Sequence, residues 1–181
     1  MNEILINLVS PTDLGRMYYS PSRSKISYPL LYLESPISRK MDYAIVIKTN
    51  IVLMFDSDGI LINVEFSLPH QAWKNHSKFE DELPTPSSVA DLKFIGVQSS
   101  RKKMVQPRLV KRKSGFTFNH YDLENISTEF YTDTQFTFAK VILCKHTPLS
   151  TWVELSNNCM ALVSENYLKG FFINLRSNPN S

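Results

Sequence analysis

The apolar positions along the chain follow the two-residue period and the short continuous runs that are typical of β-strands. Between residues 43 and 68, two apolar runs flank the sequence Asp56-Ser57-Asp58-Gly59. An Asp-Gly pair between two such runs is a strong hairpin signal. In residues 61–66, which belong to the second run, polar and apolar residues alternate, and this alternation predicts a strand with one wetter face. The pattern therefore predicts a β-hairpin in the first half of the chain.

A second stretch, residues 151–175, repeats the pattern of residues 43–68. When Phe55 is aligned with Val163, the apolar runs around these two positions coincide. The sequence Ser164-Glu165-Asn166 then takes the place of the Asp-Gly turn, with a loop one residue shorter. Internal similarity of this kind predicts two copies of one β unit.

The similarity extends upstream, where residues 26–38 resemble residues 138–150 with Pro36 aligned with Pro148. Each copy is predicted to run as strand, turn, strand, tight hairpin and strand. We therefore predict a single domain over residues 1–181, which contains an internal pseudo-repeat (26–68 and 138–175) and a charged insertion (69–114).

Two segments carry the signals of short helices. In the sequence SSVADLKFIG at 87–96, a serine can cap the helix, Asp91 favours its positive N-terminus, and Gly96 can close it. Ser10-Pro11-Thr12-Asp13-Leu14 is a similar candidate, with proline at the first helical position. Residues 116–138 mix aromatic and threonine residues with polar ones, so we expect further strand and a loop there. The predicted fold class is α+β, mainly antiparallel β-sheet with two pseudo-repeated β units and a few short helices.

The composition narrows the classes of function. Only five glycines occur in 181 residues, and none stands in a phosphate-binding motif. Cys144 and Cys159 stand in no metal-ligand pattern, so we expect neither a metal nor a cofactor. No apolar run approaches the ~20 residues that a membrane-spanning helix needs, and the first residues lack a basic leader. We therefore expect a cytoplasmic protein that does not contact a membrane.

The charge of the chain is distributed unevenly. The net charge is +3, yet residues 101–113, which we call the basic strip, hold seven of the 20 basic residues and no acid. Without the strip, 13 basic residues face 17 acidic ones, which leaves a body of charge −4. Such a strip is typical of contact with nucleic acid, anionic lipid or an acidic partner, and the alternative is a solvated loop or exposed strand pair. Its cations are Arg101, Lys102, Lys103, Arg108, Lys111, Arg112 and Lys113.

Signatures of catalysis are sparse. His76 and His120 are candidates for an acid–base pair beside the basic strip, with a lysine for a phosphate group, but nothing in their spacing favours the pairing. Cys144 and His146 would share a face of one strand, although packing of the cysteine as a small apolar residue is the simpler interpretation. The serines occur in none of the nucleophile motifs. We therefore expect no enzymatic activity and no catalytic residue.

The sequence LMFDSDGILINVEF and its partner ALVSENYLKGFFI resemble short β-hairpins of small bacterial proteins, among them the immunity proteins of contact-dependent growth inhibition and related polymorphic toxin systems. The resemblance covers about two fifths of the chain and rests on the hairpin pattern. It implies a cytoplasmic bacterial protein that binds and neutralises one cognate toxin domain, as antitoxins do, with no chemistry of its own. It assigns no functional residue.

Two kinds of partner follow from the charges. An acidic body suits a basic partner such as a nuclease toxin, because complementary charge speeds encounter and fixes the register of the complex. The candidate partner-binding residues are three consecutive acids in the insertion, Glu80, Asp81 and Glu82, whose alternative role is a solvated acidic turn. A nucleic-acid-binding module that uses residues 101–113 is the alternative function, and a histidine-based hydrolase is a third.

Overall fold

The computed structural model describes residues 2–11, 18–21, 31–34, 39–48, 50–66, 74–75, 84–133, 137–143, 149–156 and 159–174. These residues form 16 β-strands and no helix. The strands are β1 (Glu3–Val9), β2 (Tyr18–Pro21), β3 (Leu31–Glu34), β4 (Tyr43–Ile47), β5 (Ile51–Phe55), β6 (Leu61–Phe66), β7 (Lys74–Asn75), β8 (Ser88–Val89), β9 (Asp91–Gln98), β10 (Arg108–Lys111), β11 (Thr117–Leu123), β12 (Thr128–Thr132), β13 (Phe138–Leu143), β14 (Thr151–Ser156), β15 (Cys159–Ser164) and β16 (Tyr167–Asn174). The described fold is all-β, so the α+β prediction with short helices is wrong.

The helix prediction for residues 87–96 fails because strand pairing overrides the local capping signals. Leu92 and Phe94 are buried, whereas Asp91 before them and Lys93 between them are only partly buried, which is the two-residue period of a strand. The whole of β9 pairs with β1 in antiparallel fashion. The second candidate helix begins at Ser10 and Pro11, which are not helical, and its remaining residues lie outside the described ones. In residues 116–138, strand is present as predicted.

The strands form two mixed sheets. Sheet I has the order β7-β12-β13-β16-β15-β14-β8, with β1 joined to β16 and β9 joined to β1, and sheet II has the order β10-β11-β4-β5-β6-β3-β2. Neighbouring strands are mostly antiparallel, but β11 with β4, β12 with β7 and β14 with β8 are parallel. The sheets are therefore mixed rather than purely antiparallel.

The main apolar core contains side chains from both sheets. Phe66 of sheet II meets Phe171 of sheet I edge to face, with ring centroids 5.7 Å apart. Ile45 and Leu53 of sheet II belong to the same buried cluster as Ile6 of sheet I. Each such side chain removed from water stabilises the fold by about 1.5–3 kcal/mol.

Two four-stranded groups in the molecule have the same internal order. We call β3–β6 unit 1 and β13–β16 unit 2. In sheet II the order within unit 1 is β3-β6-β5-β4, and in sheet I the order within unit 2 is β13-β16-β15-β14. All of these contacts are antiparallel. The order is that of a Greek key, in which three consecutive strands pair as hairpins and the first strand of the unit lies beside the last.

The ladders of the two units also share their register. Tyr43 faces Phe55 in unit 1, and Thr151 faces Val163 in unit 2. The shift along the chain from Tyr43 to Thr151 is the same as that from Phe55 to Val163, so the two ladders match from these pairs as far as Glu154, where a register shift in unit 2 has no counterpart in unit 1. A β-bulge falls at the same place in both units, where one residue of the last strand is passed over. We call this the bulge residue; it is Ile62 in unit 1 and Lys169 in unit 2.

The first strands of the units follow the same shift. Leu31 of β3 faces Phe66, and Ala139 of β13 faces Ile173, so the ladders match Leu31 with Ala139. The sequence comparison, which aligned Pro36 with Pro148, placed Leu31 on Leu143 instead. The ladders therefore align the upstream strands differently from the sequence match, because strand pairing follows the apolar positions rather than the prolines.

The β1–β9 pair connects the two units. The N–H of Phe94 in β9 donates to the carbonyl of Gly59 in the turn of unit 1 (2.7 Å), and the N–H of Ile6 in β1 donates to the carbonyl of Asn166 in the turn of unit 2 (2.8 Å). Ile6 and Phe94 face each other across the antiparallel β1–β9 ladder. Equivalent positions therefore meet directly, as in two units related by a local two-fold axis.

The predicted Asp-Gly hairpin is present as the β5–β6 turn. The buried Asp56 carboxylate accepts hydrogen bonds from the backbone N–H groups of Asp58 (2.9 Å) and Ile60 (2.8 Å), and Arg39 forms an ion pair with it. Gly59 has φ of +80°, which a residue with a Cβ adopts only at a cost. A Cβ there would also lie 2.9 Å from the Phe94 oxygen, so glycine is required where the turn meets β9.

Candidate functional site

The basic strip folds into a turn and one arm of a hairpin. Its first three cations lie in the turn that follows β9, its middle part forms β10, and Arg112 and Lys113 lie in the turn that leads to β11. That second turn is closed by a hydrogen bond from the N–H of Gly115 to the carbonyl of Arg112 (2.9 Å), and Gly115 has φ of +81°. All seven cations are exposed. We call residues 108–123, from β10 through β11, the basic hairpin.

The basic hairpin forms one edge of sheet II. Within the part of the chain that the structure describes, β10 pairs with β11 alone, and β11 pairs on its other side with β4. The side chain of Leu109 is 69% exposed, on the face opposite Arg108 and Val110. The Leu109 face of β10 is therefore open to solvent, and on the other face Arg108 is exposed while Val110 is partly buried.

Most of the cations in the strip are not neutralised by an ion pair. Arg108 lies 3.3 Å from the Asp122 carboxylate, and because the two side chains are 71% and 52% exposed, this pair contributes at most about 1 kcal/mol. The other six cations form no ion pair with any described residue. Their mutual repulsion is relieved by salt or by an anionic partner.

Aromatic rings lie beside these cations. Phe116, Phe118 and His120 follow one another at every second residue, with ring centroids 5.7 Å and 6.0 Å apart. The guanidinium of Arg112 lies 5.6 Å from the centre of the Phe118 ring, and the ammonium of Lys40 lies 5.5 Å from that of Phe116. At an exposed position such a cation–π contact is worth about 0.5–1 kcal/mol.

The sequence analysis missed these rings because they lie outside residues 101–113. The hairpin places the rings beside the basic strip, since the N–H of Arg112 donates to the carbonyl of Phe116 (2.8 Å) and Val110 faces Phe118. The signal in the sequence was the two-residue spacing of the aromatic residues directly after the strip. That spacing places them on one face of a strand.

His120 is held by the acidic residue two positions further on. Its Nε2 lies 2.7 Å from the Asp122 Oδ1, so Asp122 contacts both His120 and Arg108. The His120 side chain is 15% exposed, and its Nδ1 is buried without a hydrogen-bond partner. A general base must reach the proton that it removes, and this nitrogen is covered. His76, the other half of the suggested acid–base pair, lies outside the described residues.

The remaining candidates from the sequence are placed as follows. Glu80, Asp81 and Glu82, which are the proposed partner-binding acids, lie outside the described residues, as do Cys144 and His146. Cys159 is fully buried, and this burial raises the pKa of its thiol, so it does not form the reactive thiolate at neutral pH.

No metal-binding cluster of histidine, cysteine or carboxylate side chains occurs among the described residues. Within the same residues, no helix has the length and apolar character needed to cross a membrane.

Two further charged groups lie below the surface of sheet I. The ammonium of Lys169 lies 2.7 Å from the Glu3 Oε1 and 5.1 Å from the centre of the Tyr167 ring. Burial raises the pKa of Asp133, but hydrogen bonds from the Thr137 side chain and from the N–H groups of Phe138 and Thr137 outweigh it, and the pKa lies below its usual value. Both groups have partners within the protein that explain their positions, so we assign them a structural role rather than a binding role.

No family model matches this chain, and the comparison with curated proteins also finds no match. The functional argument therefore rests on the basic hairpin itself.

Proposed function

We propose that this protein is a binding protein that takes up nucleic acid through the basic strip. The observation that carries the proposal is the charge of the strip, which holds seven exposed cations in residues 101–113, six of them without an ion-pair partner among the described residues. Neutralising phosphates with such cations releases condensed counterions and drives binding that is independent of base sequence. Aromatic rings beside the cations support nucleic acid over other polyanions, because bases stack on them.

The position of the strip supports the same proposal. It lies in the long connection from the end of β9 at Gln98 to the start of β12 at Thr128, the strand beside unit 2. The corresponding connection, from β1 to the strand beside unit 1, β2, runs only from Val9 to Tyr18. β1 and β9 occupy matching positions at the turns of the two units. The basic hairpin is thus an insertion relative to the strands that the two halves of the molecule have in common. Insertions of this kind commonly carry the binding function.

The test is salt-dependent binding of a labelled oligonucleotide, followed by fluorescence anisotropy. The variant carries Lys111→Glu and Lys113→Glu, and the matched control carries Lys93→Glu and Lys140→Glu, which change the net charge equally on strands outside the hairpin. We expect the strip variant to lose affinity at low salt and to lower the slope of log K against log salt by about 2, one for each phosphate contact. The control should resemble the parent.

Two results contradict the proposal. One is the absence of measurable oligonucleotide binding by the parent at low salt. The other is an equal loss in the strip variant and in the control, because net charge rather than the strip would then explain the binding.

A second candidate is the neutralisation of a cognate toxin domain in the bacterial cytoplasm, which the hairpin resemblance implies. The specific observation in its favour is the open edge of β10, where an extended segment of a protein partner can add as a further strand. Acidic side chains on that segment would meet Arg108 and Lys111. Under this function, Leu109→Pro removes a backbone donor from the edge and abolishes growth protection against the toxin, whereas Leu109→Ala preserves it. Protection by the proline variant would contradict it.

A further inference from the structure

We infer that the nucleic acid bound by the basic hairpin is single-stranded and that one of its bases stacks on Phe116. This inference rests on the proposed function and adds to it the class of nucleic acid and the residue that distinguishes that class. The observations behind it are the position of Phe116 at the hairpin turn, the ring that supports it and the cations around it.

Phe116 lies at the turn end of the aromatic row. Phe118 is 6% exposed and lies nearly parallel to Phe116, with an interplanar angle of 25°, so it supports the outer ring from below. Phe116 itself is half-buried, directly after the glycine of the turn. A partly exposed ring that is supported on one side by another ring is a platform on which a flat base can lie.

Cations flank this platform on the same edge. Arg112 bonds through its backbone to Phe116 and extends its guanidinium over Phe118, and Arg108 lies on the same face four residues earlier. At the rise of a strand, the Cα atoms of Arg108 and Arg112 are about 13 Å apart. Phosphates on either side of a stacked base can therefore be neutralised without moving the backbone of the hairpin.

Lys40 lies where a stacking base can displace its ammonium from the Phe116 ring. Its ammonium lies 5.5 Å from the centre of the Phe116 ring, on a flexible and exposed side chain. An exposed cation–π contact is weaker than the stacking of a base on an aromatic ring. When a base takes the ring, the ammonium is free to contact a phosphate, so the strand gains both interactions.

The requirement for an unpaired base selects against duplexes. In a double helix the bases are stacked inside and offer only their edges, whereas a single strand can turn a base outward onto a side chain. A duplex would use only the cations of the hairpin. The ring therefore provides a preference for single strands that charge alone does not.

The experiment compares three labelled ligands of equal phosphate number by fluorescence anisotropy: a short single-stranded oligonucleotide, an abasic strand of the same length and a hairpin duplex. The protein is the full chain, as the parent and as the Phe116→Leu, Phe116→Ala and Leu109→Ala variants. Leu109→Ala is the matched control, because it truncates an exposed apolar side chain on the other face of the same hairpin. Phe116→Leu keeps an apolar side chain, and thermal melting checks the fold of each variant.

We expect the parent to prefer the single strand over the abasic strand. Loss of the ring should weaken single-strand binding by about 5- to 150-fold, the range that corresponds to one stacked base, with the salt slope unchanged. Binding of the abasic strand should change little, and Leu109→Ala should resemble the parent.

Three outcomes separate this inference from the function on which it rests. Equal parent affinity for the intact and abasic strands overturns the stacking inference, while steep salt dependence leaves the proposed function standing. Parental binding by a folded Phe116→Leu variant has the same consequence. The absence of binding to all three ligands overturns both.

Discussion

Unit 1 and unit 2 share a backbone and differ most in what lies at the edge beside them. β4 of unit 1 pairs with the parallel strand β11, and β14 of unit 2 pairs with the parallel strand β8. The matching positions Ile45 and Val153 face these added strands. However, β11 is seven residues long and carries β10 with its cations, whereas β8 has two residues. Both units accept an added strand at this edge, and among the described residues only the edge of unit 1 is extended into a charged hairpin.

The same comparison holds at single positions. The bulge residue is the apolar Ile62 in unit 1 and the buried Lys169 in unit 2, where Glu3 of β1 supplies the opposite charge. Asn63 of unit 1 matches Gly170 of unit 2, since they face Met54 and Leu162 respectively. One backbone geometry thus accepts different side chains as long as the neighbouring strands compensate.

The largest effect is expected at Gly170. A Cβ at this position would lie 2.3 Å from the carbonyl oxygen of Val141, and a backbone atom of the neighbouring strand would have to move. Gly170→Ala should lower the free energy of unfolding by about 3 kcal/mol, measured by urea denaturation. The matched variant in unit 1 is Asn63→Ala, which removes a buried side-chain oxygen that has no hydrogen-bond partner, and its effect should be small. Equal losses at the two positions would show that the units are equally crowded.

The second effect concerns the buried ion pair. Glu3→Gln leaves the Lys169 ammonium, 7% exposed, without its anionic partner, and should cost about 2 kcal/mol, because hydrogen bonds between charged groups contribute about 1.5–3 kcal/mol. Adding Lys169→Ile places the side chain of unit 1 in unit 2 and should recover most of the loss. Thermal melting of the single and double variants measures both steps. A double variant less stable than Glu3→Gln would contradict the equivalence of the two bulges.

The third effect is a dependence of stability on pH that arises from Asp133, in the β12–β13 connection that leads into unit 2. Because the pKa of Asp133 is lower in the folded state than in the unfolded state, its contribution is complete above the usual titration range near pH 4 and is lost as the pH falls through the lowered value. Asp133→Asn should cost about 1 kcal/mol at pH 7 and should make the loss of stability in acid shallower. Parallel curves of stability against pH for parent and variant would contradict the assignment.

The smallest effect is expected at the turn of unit 2. Glu165 is exposed and has φ of +53°, a left-handed conformation, whereas the turn of unit 1 uses glycine at its left-handed position. Glu165→Gly should raise stability by about 0.5 kcal/mol, because relief of the backbone strain slightly exceeds the entropy that glycine adds to the unfolded chain. Urea denaturation provides the measurement. The reverse exchange, Gly59→Ala, should be destabilising, and a gain there would show that the turn does not need glycine.

Local patterns predicted the Asp-Gly hairpin of unit 1 correctly. The turn at Asp56 to Gly59 and the apolar runs around it are short-range features, and the β5–β6 hairpin lies where they indicate. The helix at residues 87–96 was wrong because capping signals are also local but carry less free energy than the burial of Leu92 and Phe94 along β1. Nothing near those residues in the sequence indicates that β1, at the start of the chain, is their partner.

The candidate site shows the same division. The cations of residues 101–113 are evident from composition, since charge can be counted without a fold. The spacing of the aromatic residues predicts that they share one face of a strand, but it does not place them beside the cations. Phe116 joins the cations only because the left-handed Gly115 reverses the chain and the backbone of Arg112 pairs with that of Phe116.

By itself, the sequence determined where the Asp-Gly hairpin lies and where positive charge is concentrated, because these depend on residues within a few positions of one another. Tertiary structure alone decided which strands pair, that β1 and β9 meet between the two units, and that one edge carries charge and aromatic rings together. Those choices depend on burial between segments far apart in the chain. The contacts that stabilise them form only when both sheets pack against the common core.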